Sequence, residues 1–371
     1  MDPSLVPTED NYQRLVTEFG TALITDSLLT QLEELILARG KQLHPLLKRK
    51  IFFSHRSLED IIKCLQEKKQ FYLYTGRGPS SAALHLGHLI PFMLTQYLQD
   101  VFDVEVVIQL TDDEKFLSRE LTYDECRHFA IENAKDILAV GFNPKKTFIF
   151  RNTDYYGTLY PNILQLERHI TLNKIQATFG FEGTDNIGKY AFPVAEMAPA
   201  LSTSFPHLFG TQKIPCLIPC AIDQDPFFRL IRDITPKLGY SKPAVLHAKY
   251  LPGLQGINAK MSASDLTTAI FVTDTPAQIK NKINKYAFSG GRATKEEHQR
   301  LGADLSVDVP FHYISILHPD DAKIEQIRQD YGSGKMLTSE IKKELITLLT
   351  EIVIKHQDAR AKITDDIFKV R

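Results

Sequence analysis

With 371 residues, 43% hydrophobic and 24% charged, the chain is long enough for two or three domains with a sizeable core. A formal net charge of −1 carries no polycation or polyanion signature, so any nucleic-acid contact must come from a local basic face. No run approaches the roughly 18–20 uninterrupted apolar residues of a membrane span, and the N-terminus MDPSLVPTEDNYQRL is acidic without an apolar signal core, so a cytoplasmic location with no membrane attachment is expected.

Residues 1–65 mix short helical patterns with the basic run ARGKQLHPLLKRKIFFSHR and read as an appended N-terminal region. FYLYT (71–75), bounded by glycine, predicts a buried strand, and HLIPFMLTQYLQDVF after it a helix. VEVVIQL (104–110) and KTFIF (146–150) predict two more strands, on either side of a helical pattern over 122–140 that Gly141 stops. From 155 to 213 the pattern loosens and is richer in Phe and Pro, as in a mostly helical insertion. KIPCLIPCAI (213–222) predicts a strand, then a helix through Leu238 with a stop at Gly239, and PAVLHAKY (243–250) the last strand.

Strands alternating with helices imply an α/β fold with a doubly wound parallel sheet. Past 265 the strands stop. TPAQ (275–278) predicts a capping box with proline at the first helical position. A long helix from about Ser339 places Ile341, Leu345, Leu348 and Ile352 on one face. The expected division is an N-terminal region 1–65, an α/β domain 66–265 with an insertion at about 152–212, and a helical domain 266–371. The cysteines are sparse. Cys216 and Cys220 sit in an apolar run with no further ligands at matching spacing, so buried reduced thiols in a strand are expected and no metal site.

Two short stretches carry chemistry. In YTGRGPSSAALHLGHLIPF (74–92) a strand leads into a glycine loop and then a helix. Ligands of open parallel sheets sit beyond the carboxyl ends of the strands. Gly76 and Gly78 leave room for a ligand to approach the backbone, Arg77 supplies a fixed positive charge, and His85 and His88 stand at i and i+3 around Gly87. A helix N-terminus there favours phosphate. The second stretch is KMSAS (260–264), following LPGLQGINA. Lys260, Ser262 and Ser264, with Met261 between them, form a mobile phosphate clamp for a leaving pyrophosphate. Either motif alone is as readily a pair of surface histidines or a solvated loop. Together they are specific.

HLGH and KMSAS resemble the signature motifs of the class I aminoacyl-tRNA synthetases, and CAIDQDP (220–226) resembles the strand-end motif of their tyrosyl and tryptophanyl subclass. YTGRGPSS, LTDDEKFL, CLIPCAIDQDP, KMSASD and NKYAFSGGR are similar to eukaryotic cytosolic tryptophanyl-tRNA synthetases over roughly residues 50–371.

The resemblance implies ATP-dependent formation of tryptophanyl-adenylate, usually with Mg2+, and transfer to the 3′ end of tRNA(Trp) by a homodimer. It puts 152–212 at the interface and an anticodon-binding function in 266–371. Catalysis would then be positioning and electrostatics rather than enzyme nucleophile chemistry. By similarity, Gly76, Arg77, Gly78, His85, Gly87, His88, Lys260, Met261, Ser262 and Ser264 hold ATP. Arg77, His85, His88, Lys260 and Ser262 would be the catalytic set, and Asp223 the ribose contact. L-tryptophan falls to Tyr74 and Gln109 at the indole N–H, with Gly76 nearby, and to Glu114 at the ammonium, with Gln224 nearby. FPVAEMAP (192–199) departs from the pattern, with Glu196 where the family has Gln.

A lone amide in the apolar strand of Gln109 marks a site or a structural network, whereas Asp112 and Asp113 read as helix caps. Lys280, Lys282, Lys285, Arg292 and Lys295, and separately Lys48, Arg49 and Lys50, could track RNA phosphates or be solvated faces. Three alternatives stay open: a tyrosine-specific sister enzyme, a small nucleotidylyltransferase, and a non-catalytic RNA-binding relative.

Overall fold

Apolar runs become strands wherever both faces can be covered. In the computed structural model, which describes residues 9–262 and 265–368, every run read as a strand forms one. These are β3 (Tyr72–Arg77), β4 (Val106–Leu110), β5 (Thr147–Arg151), β6 (Cys216–Ala221) and β7 (Ala244–Ala248). The N-terminal region, expected to be helical and appended, adds β1 (Ala22–Leu23) and β2 (Phe52–Arg56) to the same sheet. The order is β1-β2-β7-β6-β3-β4-β5. From β7 to β5 all neighbours are parallel, while β2 runs antiparallel to β7 and β1 to β2.

Backbone proximity divides the chain into two compact units. The sheet unit comprises Arg14–Ala82, Ile90–Lys249 and Ile363–Arg371; the helical unit comprises Met1–Gln13, Ala83–Leu89 and Tyr250–Lys362.

In the sheet unit, β3 lies between strands reached by opposite crossovers, which is where an open α/β sheet binds its ligands. The sheet opens at this place. β3 pairs with β6 only through Tyr72 with Cys216 and Leu73 with Leu217, whereas β6 stays with β7 as far as Ala221 with Ala248. Pro219 has no N–H to give to a ladder. Its carbonyl instead accepts from Thr75 Oγ1 at 3.1 Å. A proline in the middle of β6 thus parts the two central strands towards their carboxyl ends. Cys216 and Cys220 are buried in this strand. The insertion is helical: Asn152–Glu167, Leu172–Phe179 and Ile187–Met197, followed by short turns to Phe209.

In the helical unit the capping box forms as the sequence predicts. Thr275 caps the helix Pro276–Tyr286, and Gln278 returns the bond. The long helix Thr338–Arg360 buries Ile341, Leu345, Leu348, Leu349 and Val353. Ile352 is only half-buried, because a stripe of period 3.6 drifts onto Val353 one turn after Leu349.

Candidate active site

In the sheet unit, the parted strands present a chain of buried polar groups. The hydroxyl of Tyr74, in β3, lies within hydrogen-bond reach of Gln109 Oε1 and of the backbone oxygen of Glu196, at 2.7 Å for the latter, and its one proton serves one of them at a time. Gln109, in β4, donates from Nε2 to Asn152 Oδ1 at 2.7 Å and to the Ala195 carbonyl at 3.2 Å. Asn152 in turn donates to Asp113 Oδ1 at 2.9 Å. Tyr74, Gln109 and Asn152 are fully buried. The cost of burying an amide in an apolar strand is thereby offset by a complete set of partners. The tyrosine oxygen, having given its proton away, keeps lone pairs for an incoming N–H.

Glu114 lies in the first turn of the helix Asp112–Ser118, which begins just past β4. Its carboxylate pairs with Lys115 at 2.5 Å and accepts from Ser118 at 2.9 Å. Gly78 makes room for this pair: a Cβ there would stand 2.6 Å from Lys115 Cε and 3.1 Å from Glu114 Oε2. Gly76 is equally constrained, since its Cβ would meet the Gln109 carbonyl at 3.2 Å. Arg77 is half-buried and donates from Nε to Asn133 at 3.3 Å. Its Nη2 is buried with no hydrogen-bond partner among the described residues. Loss of hydration lowers its pKa to about 10, with Glu114 opposing the shift. A buried donor without an acceptor is the condition a phosphate oxygen relieves.

Asp112 and Asp113 divide their roles. Asp112 accepts from Thr153 N and Oγ1 and ties down the start of the helix Asn152–Glu167. Asp113 belongs to the Gln109 chain; burial pushes its carboxyl up to about 7 against the hydrogen bond from Asn152.

Glu196 is buried, and its Oε2 has no partner among the described residues. Burial pushes this carboxyl up to about 8; Glu114 and Asp113 add to the shift and Lys115 opposes it. Neighbouring like charges disfavour the ionised form of a buried carboxyl in this way. Asp223 and Gln224 occupy the turn Ile222–Gln224 directly after β6. Asp223 is exposed and accepts from Gln224 Nε2 at 3.1 Å.

In the helical unit, the two signature motifs meet. His85 forms a β-bridge with Phe271, flanked by Leu86 N to Ile270 O at 3.0 Å and Val272 N to Leu84 O at 3.0 Å. The rings of His85 and His88 stack with centroids 3.4 Å apart. His85 N donates to His88 Nδ1 at 3.4 Å, which leaves Nε2 to carry the proton of a neutral ring.

A Cβ on Gly87 would stand 3.2 Å from both His85 Nδ1 and Met261 Sδ, so the glycine admits Met261 of the second motif. Lys260 bridges to Pro252, and its Nζ lies 5.0 Å from the Tyr250 ring centroid. Ser262 N donates to Thr268 Oγ1 at 3.0 Å. Ser264 lies outside the described residues.

A family model described as tRNA synthetases class I (W and Y) matches residues 66–353. The chain belongs to this family. It is 50% identical to the cytoplasmic tryptophan–tRNA ligase of Homo sapiens, over all of this chain and 79% of the relative. The tryptophanyl-tRNA synthetase of Giardia lamblia is 45% identical, with a TM-score of 0.91 over 98% of each chain. The Encephalitozoon cuniculi enzyme, solved bound to tryptophan, is 40% identical with a TM-score of 0.90 over 98% of each chain.

Several basic residues of the synthetase have internal partners. Lys282 pairs with Asp274 at 2.7 Å and is mostly buried, and Arg292 donates to the Gly302 carbonyl at 2.9 Å. Lys50 pairs with Asp26 at 2.7 Å. Lys280, Lys285 and Lys295 are exposed. Asn152 and Asp113 are the site residues that sequence reasoning missed. An asparagine directly after a strand that neighbours the Gln109 strand was the available signal. Nothing in the sequence pointed to Phe271 as the partner of His85.

Proposed function

We infer that the chain is a cytoplasmic tryptophan–tRNA ligase. The observation that carries this is the buried Tyr74–Gln109 pair, whose oxygens suit an indole N–H. Such a site discriminates against phenylalanine, whose ring has no N–H to give to these oxygens. Relatives at 50% identity named for tryptophan support the same specificity.

In the first step a carboxylate oxygen of tryptophan attacks the α-phosphorus of ATP, and pyrophosphate leaves. In the second, a ribose hydroxyl of the terminal adenosine of tRNA(Trp) attacks the activated carbonyl carbon, and AMP leaves. Arg77, His85, His88, Lys260 and Ser262 supply charge and hydrogen bonds to the phosphates, and Asp223 takes the ribose. Gly76, Gly78 and Gly87 keep the backbone open for these contacts, with Met261 and Ser264 in the clamp. Glu114, Gln224 and Glu196 take the α-ammonium. Mg2+ arrives with the nucleotide and neutralises phosphate charge.

The exposed Tyr160, Leu164, Leu172 and Ile187 on the insertion suit a homodimer interface. Anticodon binding is assigned to the helical domain 266–371, with the exposed Lys280, Lys285 and Lys295 available to phosphates.

The test is amino-acid-dependent exchange of labelled pyrophosphate into ATP. Exchange with tryptophan alone is expected; exchange with tyrosine would overturn the assignment of Tyr74 and Gln109. The chain contains no Trp, so binding can also be followed by the ligand's own fluorescence.

The KM for tryptophan should carry a proton. An ammonium favours ionised Glu196, so binding releases the proton that Glu196 holds below about pH 8. The KM therefore falls as pH rises from 6 towards 8. In Glu196→Gln the same profile is flatter. The free protein shows the opposite slope: a carboxyl raised in the folded state stabilises the fold less as pH rises from about 4.5 to 8, and Glu196→Gln removes that decline as well.

A further inference from the structure

The last residue of β2, Arg56, makes four hydrogen bonds to three residues. Nε donates to Asp225 Oδ1 at 2.7 Å and Nη2 to Asp225 Oδ2 at 2.7 Å. Nη2 also donates to the Phe19 carbonyl at 2.5 Å, and Nη1 to the Gly20 carbonyl at 3.0 Å. These carbonyls end the first helix, Glu9–Phe19. The pair is buried, with side-chain exposures of 10% for Arg56 and 1% for Asp225. His247, in β7, holds the same carboxylate through Nε2 at 3.0 Å and Ser54 through Nδ1 at 3.0 Å.

Serine, histidine and aspartate in line suggest a nucleophile, but all are buried and Arg56 saturates the acid, so the array is a clamp. What it clamps is informative. Asp225 opens the helix Asp225–Arg232 and follows the turn Ile222–Gln224 without a break. Asp223 and Gln224 are therefore carried on a short turn that exposes Asp223 and whose far end is pinned by a planar, two-point ion pair.

We propose that Arg56 is a positioning residue for nucleotide binding: from the N-terminal region it fixes, through Asp225, the turn that presents Asp223 to the ribose of ATP. This rests on the function inferred above. It gives the N-terminal strand pair a part in the reaction, because removing the fork frees the turn without touching any ligand contact. Lysine keeps the charge but cannot grip both oxygens in one plane.

The experiment compares Arg56→Lys, Asp223→Ala and the double variant in tryptophan-dependent pyrophosphate exchange, with ATP affinity of the full chain measured directly by calorimetry. Arg56→Lys should raise the KM and Kd for ATP about tenfold, as a misplaced contact does, and raise the KM for tryptophan by less, through Gln224 on the same turn. If Arg56 acts through Asp223, the double variant should bind ATP no worse than Asp223→Ala alone. A lower melting temperature with ATP affinity unchanged, or losses that multiply in the double variant, would overturn the proposal. Should Arg56→Lys fail to fold, Asp225→Asn, nearly isosteric, must show the same loss of ATP affinity. Absence of exchange in the parent protein would refute the inferred function, while the ATP affinities still decide the role of Arg56.

Discussion

Lys260→Ala slows adenylate formation by about 10²–10³-fold with the fold intact, the size of effect seen when one preorganised donor to a developing oxyanion is removed. As pyrophosphate leaves, negative charge accumulates on its bridging oxygen, and a fixed cation is worth most at that moment. The Lys260 backbone is held by its bridge to Pro252 and by Met261 against Gly87, so Lys260→Ala removes the charge and its contact with the Tyr250 ring and keeps the backbone in place.

His88→Ala should act in the same direction. Gln places an amide donor at the Nε2 end of the imidazole and Asn does not, so His88→Gln should keep more activity than His88→Asn. Single-turnover formation of adenylate, with tryptophan KM unchanged, is the measurement. A rate equal to that of the parent in Lys260→Ala would remove the lysine from the mechanism.

Asp225→Ala destabilises the protein by about 3–5 kcal/mol, the penalty for leaving a buried charge without its partner. Arg56 and His247 both lose their acceptor in this variant. The pH dependence identifies the cause. Burial pushes the Asp225 carboxyl up, but hydrogen bonds from His247 and Arg56 outweigh it and hold the pKa at about 2. A carboxyl lowered in the folded state contributes stability that is complete above its unfolded value, near 3.8, and is lost as pH falls towards 2. His247 is lowered by burial below its usual 6.5, so it also resists protonation and weakens the fold as pH drops beneath that value. Urea unfolding of the parent should therefore lose stability steeply between pH 4 and 2, and Asp225→Ala should lack this segment. A parallel decline in both proteins would show that other carboxyls dominate.

Legibility from sequence followed the strength of the local signal. Strands with continuous apolar runs were readable, as was the capping box at Thr275, because both are fixed by residues within a few positions of one another. β2 was not read: FFSHR has only two apolar residues, and its polar Ser54 is buried through a distant partner, His247. The glycine–histidine and KMSAS motifs were recognisable in text, yet their attachment to the helical unit, through Phe271 and Met261, depends on long-range backbone pairing that no local pattern encodes. Gln109 was found because an amide in an apolar strand is conspicuous. Asn152 was missed because asparagine after a strand is ordinary. Lys282 looked like a phosphate contact because its partner, Asp274, lies outside the stretch read for charge, two turns away.

The pairing of β2 with β7 also sets a clock. Ser54 and His247 are separated by 193 positions along the chain. At synthesis rates of about 5–20 residues per second, β2 leaves the ribosome roughly 10–40 seconds before β7 exists to receive it. During that interval Phe52, Phe53 and the edge of β2 that will face β7 are exposed beside a growing chain, the condition in which strand edges aggregate. The positive φ of Lys50 and Ser57, at 53° and 50°, breaks the extended run on both sides and keeps the waiting strand short.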